Sequence, residues 1–330
     1  MKIAFYDTKP YDRRAFEKPI QEMGYEVAFF ECRLTKESVH MAEGSDATCS
    51  FVNDEVTADV LDALSSYGIG VVLLRCAGFD SVDLKRAAEL NIKVLRVPSY
   101  SPTAVAEHAI ALLQTINRKT HLGYNRTTKF NFNIDGLMGV DLRGKTAGVI
   151  GTGKIGKITA EILSAGFGMN VLAYDVFQDP TSGLNYVPLD EIWAKSDVIS
   201  LHCPLFPETQ HIINKDSIAK MKDGVLLVNS SRGGLINTKD LLEAVKAGKF
   251  RGVGLDVCEK EHEYFFEDHS KELMQDDDMA LLMAYPNIVM TGHQAFFTEE
   301  ASAAIVDVTL HNFKAYLDGA PLTNEVKANA

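Results

Sequence analysis

A short apolar run, Thr146 to Ile150, stops at Gly151-Thr152-Gly153-Lys154-Ile155-Gly156. Ile155, Ile158, Ile162 and Leu163 then recur at helical spacing, and a second apolar run, Val171 to Tyr174, ends in Asp175. Strand, glycine turn, helix, strand, acid is an order that few folds accommodate. It opens a parallel sheet built to hold a dinucleotide. The first glycine permits the tight turn, the second lets backbone approach a pyrophosphate, and the third lets the helix pack on the strand. The N–H groups at the helix start would receive the phosphates. Asp175 stands about 20 residues further on, where a carboxylate accepts from a ribose hydroxyl. A glycine turn with a purely structural role would leave that acid unexplained. The acid also repels a 2′-phosphate, and Val176, Phe177 and Gln178 supply no cation to hold one, so NAD is expected rather than NADP.

The 330 residues are enough for two domains with sizeable cores. The net charge of −12 excludes a general nucleic-acid or acidic-membrane surface, although one arginine in a cleft could still hold a small anion. Five scattered cysteines without a Cys-x-x-Cys pair fit reduced thiols in a cytoplasm, with no metal site expected. Met1 to Asp7 reads as a strand rather than a signal peptide, and no apolar stretch reaches the ~20 residues of a membrane span.

The first hundred residues alternate apolar runs (Ile3–Tyr6, Val27–Phe30, Ala47–Phe51, Val71–Leu74, Val94–Val97) with helical patterns such as Val82 to Leu90. This is βαβ grammar without a glycine fingerprint. Val97-Pro98-Ser99-Tyr100-Ser101-Pro102 marks a boundary. A helix from about Thr103 to Arg118, apolar on more than one face, is expected to lie buried between domains. Strands Val198–Leu201, Val225–Val228, Val253–Leu255 and Ile288–Met290 continue the second unit. The helical segment Glu299 to Leu317 has no strand of its own, so the chain is expected to cross back to the first unit. Glu259 to Asp278 reads as a solvated acidic loop around a short helix. The fold class is therefore α/β, with two Rossmann-like or flavodoxin-like domains of parallel sheet and a cleft between them. The substrate-binding domain comprises residues 1–100 and 299–330, and the NAD-binding domain residues 101–298.

In an open α/β sheet, ligands bind beyond the carboxyl ends of the strands. Beyond the strands of the second unit lie the glycine turn, Asp175, His202-Cys203-Pro204, Asn229-Ser230-Ser231-Arg232-Gly233, Asp256 with Glu259 and Glu261, and Thr291-Gly292-His293. Arg232 alone would be a surface arginine; on this edge its guanidinium fork suits a carboxylate. His293 alone could serve structure as well as chemistry; at a strand end beside a dinucleotide it suits general acid/base work. Glu261 would orient that imidazole and favour its charged form, with Glu259 and Glu263 as rivals on spacing. Asp256 reads as a supporting or cofactor-edge residue. His202 reads as a strand-end histidine whose neighbours Cys203 and Pro204 line the adenosine side. His40, His108, His121, His211, His262, His269 and His311 receive no role.

At these residues the chain resembles the D-2-hydroxyacid dehydrogenases, and among them the fermentative D-lactate dehydrogenases. The likeness runs over essentially the whole length. It is carried by Val97-Pro98-x-Tyr100-Ser101-Pro102 with Ala106-Glu107-His108, the glycine turn, His202-Cys203-Pro204, Asn229-Ser230-Ser231-Arg232-Gly233, Gly254-Leu255-Asp256-Val257-x-Glu259-x-Glu261 and Gly292-His293-x-Ala295-Phe296. The resemblance implies Arg232, Glu261 and His293 as the catalytic triad, choosing Glu261 over Glu259. It implies reduction of pyruvate to D-lactate by NADH, with the carboxylate held by Arg232 and by amides near Ala77 and Gly78. Phe51, Arg75, Tyr100 and Phe296 are similar to positions that shape the pocket for the substrate methyl group. The cofactor set expected is Gly151, Gly153, Lys154, Ile155, Gly156, Asp175, Cys203, Pro204, Thr209, Ser230, Ser231, Arg232 and Asp256. A homodimer or homotetramer joined mainly through the cofactor domains is implied. Rival readings are a dehydrogenase for a bulkier 2-keto acid such as phenylpyruvate, and an NAD-sensing interaction module, which would have little need of the intact triad. A formate-dehydrogenase-like chemistry fits less well, since it needs no general acid and would favour glutamine at Glu261.

Overall fold

Two all-parallel sheets organise the chain, and the computed structural model describes residues 1–328. One unit comprises Met1–Ser101 with the described residues from Phe297 onward; the other comprises Pro102–Phe296.

The first unit contains β1 (Lys2–Phe5), α1 (Pro10–Glu22), β2 (Glu26–Phe29), β3 (Ala47–Ser50), α2 (Ala58–Ser66), β4 (Val71–Leu74), α3 (Leu84–Glu89) and β5 (Lys93–Leu95). The strand order is β2-β1-β3-β4-β5, the flavodoxin-like winding. β3 and β4 are buried along their whole length, which is why they read as unbroken apolar runs rather than alternating ones. α3 starts two residues later than the apolar pattern suggests. Val82 is used in a bridge to Val56, and Asp83 caps the helix by accepting from the Arg86 N–H at 2.9 Å. The returning helix α12 (Glu299–Leu317) starts at Thr298, whose side chain accepts from the Ala301 N–H, with Glu299 and Glu300 at the positive end of the helix dipole. Its buried Phe313 meets the Tyr25 ring edge-on at 5.2 Å. The segment after α12 is hooked to β5 where the Val326 N–H donates to the Val94 carbonyl at 2.9 Å.

The second unit contains α4 (Pro102–Arg118), α5 (Thr120–Thr127), β6 (Thr146–Ile150), α6 (Lys154–Glu161), β7 (Asn170–Tyr174), β8 (Asn185–Tyr186), α7 (Leu189–Lys195), β9 (Val198–Leu201), α8 (Lys215–Lys220), β10 (Val225–Asn229), α9 (Thr238–Lys246), β11 (Phe250–Leu255), α10 (Glu261–Tyr264), α11 (Asp277–Ala284) and β12 (Ile288–Met290). The order β12-β11-β10-β9-β6-β7-β8 reverses direction between β6 and β9, the switch point at which such sheets bind ligands. α4, α6 and the turn after α6 cover one face through Leu112, Leu113, Ile116, Ala160 and Leu163. α4 is seated unusually close to β11. A β-carbon on Gly252 would lie 2.8 Å from Ile116 Cβ, and one on Gly254 would lie 3.0 Å from Leu112 Cβ. The apolarity of α4 is thus used against the sheet of its own unit. The acidic stretch after Glu259 holds one short helix, α10, before α11 begins. Among the described residues no helix is long and apolar enough to cross a membrane.

Candidate active site

The glycine turn is shaped by contacts that admit no side chain. A β-carbon on Gly151, whose φ is +90°, would lie 2.3 Å from the Cys203 nitrogen, and one on Gly156 would lie 1.9 Å from the Gly151 oxygen. β6, the start of α6 and the end of β9 are therefore pressed together at the switch point. Gly153, which precedes α6, faces open space instead, where a phosphate can approach backbone N–H groups. Lys154 and Ile155 are the first residues of α6 and carry its N-terminal amides.

Asp175 reaches across from the end of β7. Its Oδ2 accepts from the Thr152 N–H at 2.6 Å and the Thr152 hydroxyl at 3.0 Å, and its Oδ1 accepts from the Phe177 N–H. The Tyr186 hydroxyl completes the group, 3.0 Å from Thr152 Oγ1. Neither Thr152 nor Tyr186 stood out in the sequence, although Thr152 lies inside the fingerprint. On the opposite side of the turn, Ser231 Oγ donates to the Cys203 carbonyl at 2.7 Å and Thr209 Oγ1 to the Pro204 carbonyl at 2.7 Å. Burial pushes the Cys203 thiol up to about 11, so it remains a thiol. Ser230 Oγ is buried and has no hydrogen-bond partner among the described residues. An orphaned hydroxyl, an open glycine at a helix start and a carboxylate at the next strand end are together what a dinucleotide needs. His202 is set against this cradle with its Nε2 2.8 Å from Ser200 Oγ, and burial pushes it down to about 4.

Arg232 follows β10 on a turn folded by the fully buried Asn229. Asn229 accepts from the Ser231 N–H at 3.0 Å and donates to the Arg232 carbonyl at 2.9 Å. Gly233 is in contact with the turn after β11: a β-carbon there would lie 2.0 Å from the Cys258 carbonyl carbon. No residue larger than glycine allows this approach, and it ties the arginine turn to the segment that carries Glu261. The guanidinium donates to the Ser231 carbonyl at 2.9 Å.

Glu261 and His293 are hydrogen-bonded, Nδ1 to Oε1 at 3.1 Å, with both side chains about one-fifth exposed (20% and 22%). The second Glu261 oxygen accepts from the Cys258 N–H at 3.2 Å, which fixes the carboxylate. The rival Glu259 is engaged elsewhere: Oε1 lies 2.7 Å from His211 Nε2, and Oε2 accepts from the Thr238 N–H at 2.8 Å at the start of α9. These bonds outweigh its partial burial and hold its carboxyl below the usual range. Asp256 is fully buried, and both its oxygens are bound to the turn around His293: Gln294 N–H at 2.9 Å, Ala295 N–H at 2.8 Å and the Thr291 hydroxyl at 2.5 Å. Of its two expected roles, support of that turn is the one these bonds describe.

In the first unit, the chain after β4 carries Arg75, Cys76, Ala77 and Gly78. Arg75 is 1% exposed. Its guanidinium donates to Asp12 and to the Asp7 carbonyl, and it lies between the Phe5 and Phe51 rings at 4.6 and 4.7 Å. Arg75 and Phe51 are both buried in the core of this unit. The loop itself is held by Arg96, which donates to the Ala77 carbonyl at 2.9 Å and stacks on Phe79. Nothing in the sequence pointed to Arg96. Tyr100 is the penultimate residue of the first unit's opening segment, and Phe296 ends the second unit.

The family model described as D-isomer specific 2-hydroxyacid dehydrogenase, NAD binding domain, matches residues 110–295. A 2-hydroxyacid dehydrogenase homologue of Haemophilus influenzae is 50% identical over 329 residues, covering 99% of each chain. The D-lactate dehydrogenase of Escherichia coli is 46% identical over 329 residues, covering 99% of this chain and 100% of that one. The apo structure of the Escherichia coli D-lactate dehydrogenase superposes with a TM-score of 0.90 at 44% identity over 99% of this chain and 100% of that one.

Proposed function

The chain belongs to the D-isomer specific 2-hydroxyacid dehydrogenases, and from that membership we propose that it is an NAD-dependent D-lactate dehydrogenase that reduces pyruvate to D-lactate, reversibly. The observation that carries the reading is the Glu261–His293 pair, placed at the same sheet edge as the Arg232 turn and the dinucleotide cradle.

The roles rest on donor and acceptor chemistry. Arg232 binds the substrate carboxylate through its two-pronged guanidinium. Glu261 accepts the Nδ1 hydrogen of His293, which leaves Nε2 as the nitrogen that gives a proton to the keto oxygen and takes it back in the reverse direction. Bound NADH supplies the hydride that reaches the carbonyl carbon. Gly151, Gly153 and Gly156 with the first amides of α6 hold the pyrophosphate, Asp175 takes the ribose hydroxyls, and Ser230 Oγ gains its missing partner from the cofactor. Ala77 and Gly78 offer amides to the substrate carboxylate. Tyr100 and Phe296 limit the side chain, and Arg75 with Phe51 supports that loop from beneath. Aromatic walls favour a methyl group over a larger substituent.

The molecule is proposed to be a cytoplasmic homo-oligomer. All five cysteines are free thiols. Tyr124, Phe130, Phe132, Ile134 and Met138 are exposed along one segment after α4, although Arg126 ties that segment together through the Asn133 and Asp135 carbonyls. Ordered, apolar and uncovered, this surface suits a second copy of the chain.

NADH oxidation with pyruvate, run on wild type beside His293→Ala and Arg232→Ala with the product tested for handedness, examines the reading. D-lactate formed rapidly, with kcat/KM lost by orders of magnitude in both variants, is expected. A wild type that turns over phenylpyruvate much faster than pyruvate would overturn the substrate assignment. An active His293→Ala would overturn the acid/base role.

A further inference from the structure

His293 stands on a turn that backbone preference alone would not hold. Its φ is +52°, in the left-handed region that a residue with a β-carbon enters at a cost and keeps only when its surroundings over-determine it. Its N–H donates to the Asp256 carbonyl at 2.8 Å, and the Asp256 carboxylate takes the next two amides, those of Gln294 and Ala295. Three amides of the turn are thus held by Asp256, a residue whose side chain has no exposed surface. A buried carboxylate holds its position only if its donors are complete.

The remaining donors come from two side chains that take no part in the chemistry. Thr291 gives its hydroxyl hydrogen to Asp256 Oδ1. With that hydrogen committed, Thr291 Oγ1 can only accept from its other neighbour, His108 Nε2, at 3.1 Å. His108 must then carry its hydrogen on Nε2, which also lies 3.4 Å from Asp256 Oδ1. The Asp256 carboxyl is accordingly held below its usual range. Burial alone would raise it, and the bonds from His108, Thr291, Ala295 and Gln294 outweigh burial. His108 is presented from α4, whose close seating on β11 at Gly252 and Gly254 leaves it little freedom to move.

We propose that His108 is a positioning residue for His293, acting through Thr291 Oγ1 and the Asp256 carboxylate to lock the left-handed turn that carries the acid/base imidazole. The proposal rests on the reading of His293 as the acid/base group. Losing the Nε2 donor would free Thr291 Oγ1 and loosen the turn. The imidazole would then be presented less accurately, while the dinucleotide cradle at β6, β7 and β9 would be untouched.

The experiment compares His108→Leu, His108→Gln, Thr291→Val and the His108→Leu/Thr291→Val pair in the full-length protein. Pyruvate kinetics and NADH affinity by fluorescence are measured for each. In His108→Leu, kcat is expected to fall about tenfold, since small misplacements of a catalytic group are costly, with NADH affinity unchanged. His108→Gln, which keeps a donor near the Nε2 position, should recover most of the loss. The double variant should be no worse than the poorer single one, since both break one link. Equal activity of the Leu and Gln variants, or additive losses in the pair, would overturn the proposal. Should His108→Leu fail to fold, Thr291→Val removes the same link from its other end, and unchanged kcat there would overturn it equally. His293→Ala run in parallel separates the two readings: if it remains active, the acid/base assignment has failed, whatever the His108 variants do.

Discussion

Replacing Gly233 by alanine tests how the arginine turn is placed. The added β-carbon would lie 2.0 Å from the Cys258 carbonyl carbon, 2.1 Å from its oxygen and 2.6 Å from the Glu259 nitrogen. Each is a backbone atom that cannot rotate away. Ordinary contact begins near 3.4 Å, so the two turns must separate by more than an ångström. One turn carries Arg232 and the other carries Glu261, so the displacement falls between the proposed carboxylate holder and the residue hydrogen-bonded to His293. A misplacement of about 1 Å can cost on the order of 100-fold in rate, and the strain of forced packing adds about 1–3 kcal/mol of destabilisation. The expected outcome is a loss of kcat/KM for pyruvate of that order, a lowered Tm and NADH affinity within about threefold of wild type. Gly234→Ala is the matched control. The atoms nearest its β-carbon belong to the Leu205 side chain, the first at 2.9 Å, which can rotate, so little change is expected. Near-normal kcat/KM with an unchanged Tm in Gly233→Ala would refute the argument that this close approach sets the geometry.

Three further outcomes are expected from particular groups. His202 is pushed down to about 4 from 6.5, so the folded state keeps it neutral while the unfolded chain protonates. The stability it contributes is complete above about pH 6.5 and is lost as pH falls toward 4, up to about 3 kcal/mol. Urea unfolding across that range should show a flatter acid limb in His202→Asn than in wild type. Asp175→Asn should weaken NADH by about tenfold or more, the worth of a charge-assisted bond, with a much smaller effect on the KM for pyruvate at saturating NADH; fluorescence titration and initial rates measure the two. Phe130→Asp, which puts a charge on the exposed apolar segment, should shift the protein toward monomer in light scattering, and an unchanged mass would remove that segment from the interface.

The features legible in the sequence were periodic or tied to a strand end. The parallel sheets, the glycine turn and the order of Asp175, Arg232, Glu261 and His293 along one edge depend on apolar runs and on the residues just beyond them, and both are local. The pairing of side chains across elements was not legible. Glu259 and Glu261 are equivalent by spacing. They part only because Glu259 faces His211 and the start of α9, while Glu261 faces His293. His108 lies in the second turn of an apolar helix, and its partners are more than 140 residues away in the chain. Arg75 was expected at the pocket from the family resemblance alone, and no local pattern marks its burial. It lies in the core with three acids, Asp7, Asp12 and Asp54, buried around it, brought together by the segments after β1 and β3 and by α1 rather than by any local pattern. β8, two residues long, has too little period to be seen.

The sheet of the second unit divides its work by strand. β6, β7 and β9 present the glycine turn, Asp175 and the His202–Cys203 corner, while β10, β11 and β12 present Arg232, Glu261 and His293. The two groups are braced separately. The cradle is held by Gly151 against Cys203 and by Thr152 against Asp175. The reacting groups are held by Asn229, by Gly233 against Cys258 and by Asp256 with its donors. Ser231 Oγ, bonded to the Cys203 carbonyl, joins the two halves near the site. Substitutions that disturb the Gly233 or Asp256 braces should therefore change kcat while sparing NADH affinity, and those around β6–β7 should do the reverse. Ser231→Ala is the position where both should move together, and it is there that independence of the two halves would first be seen to fail.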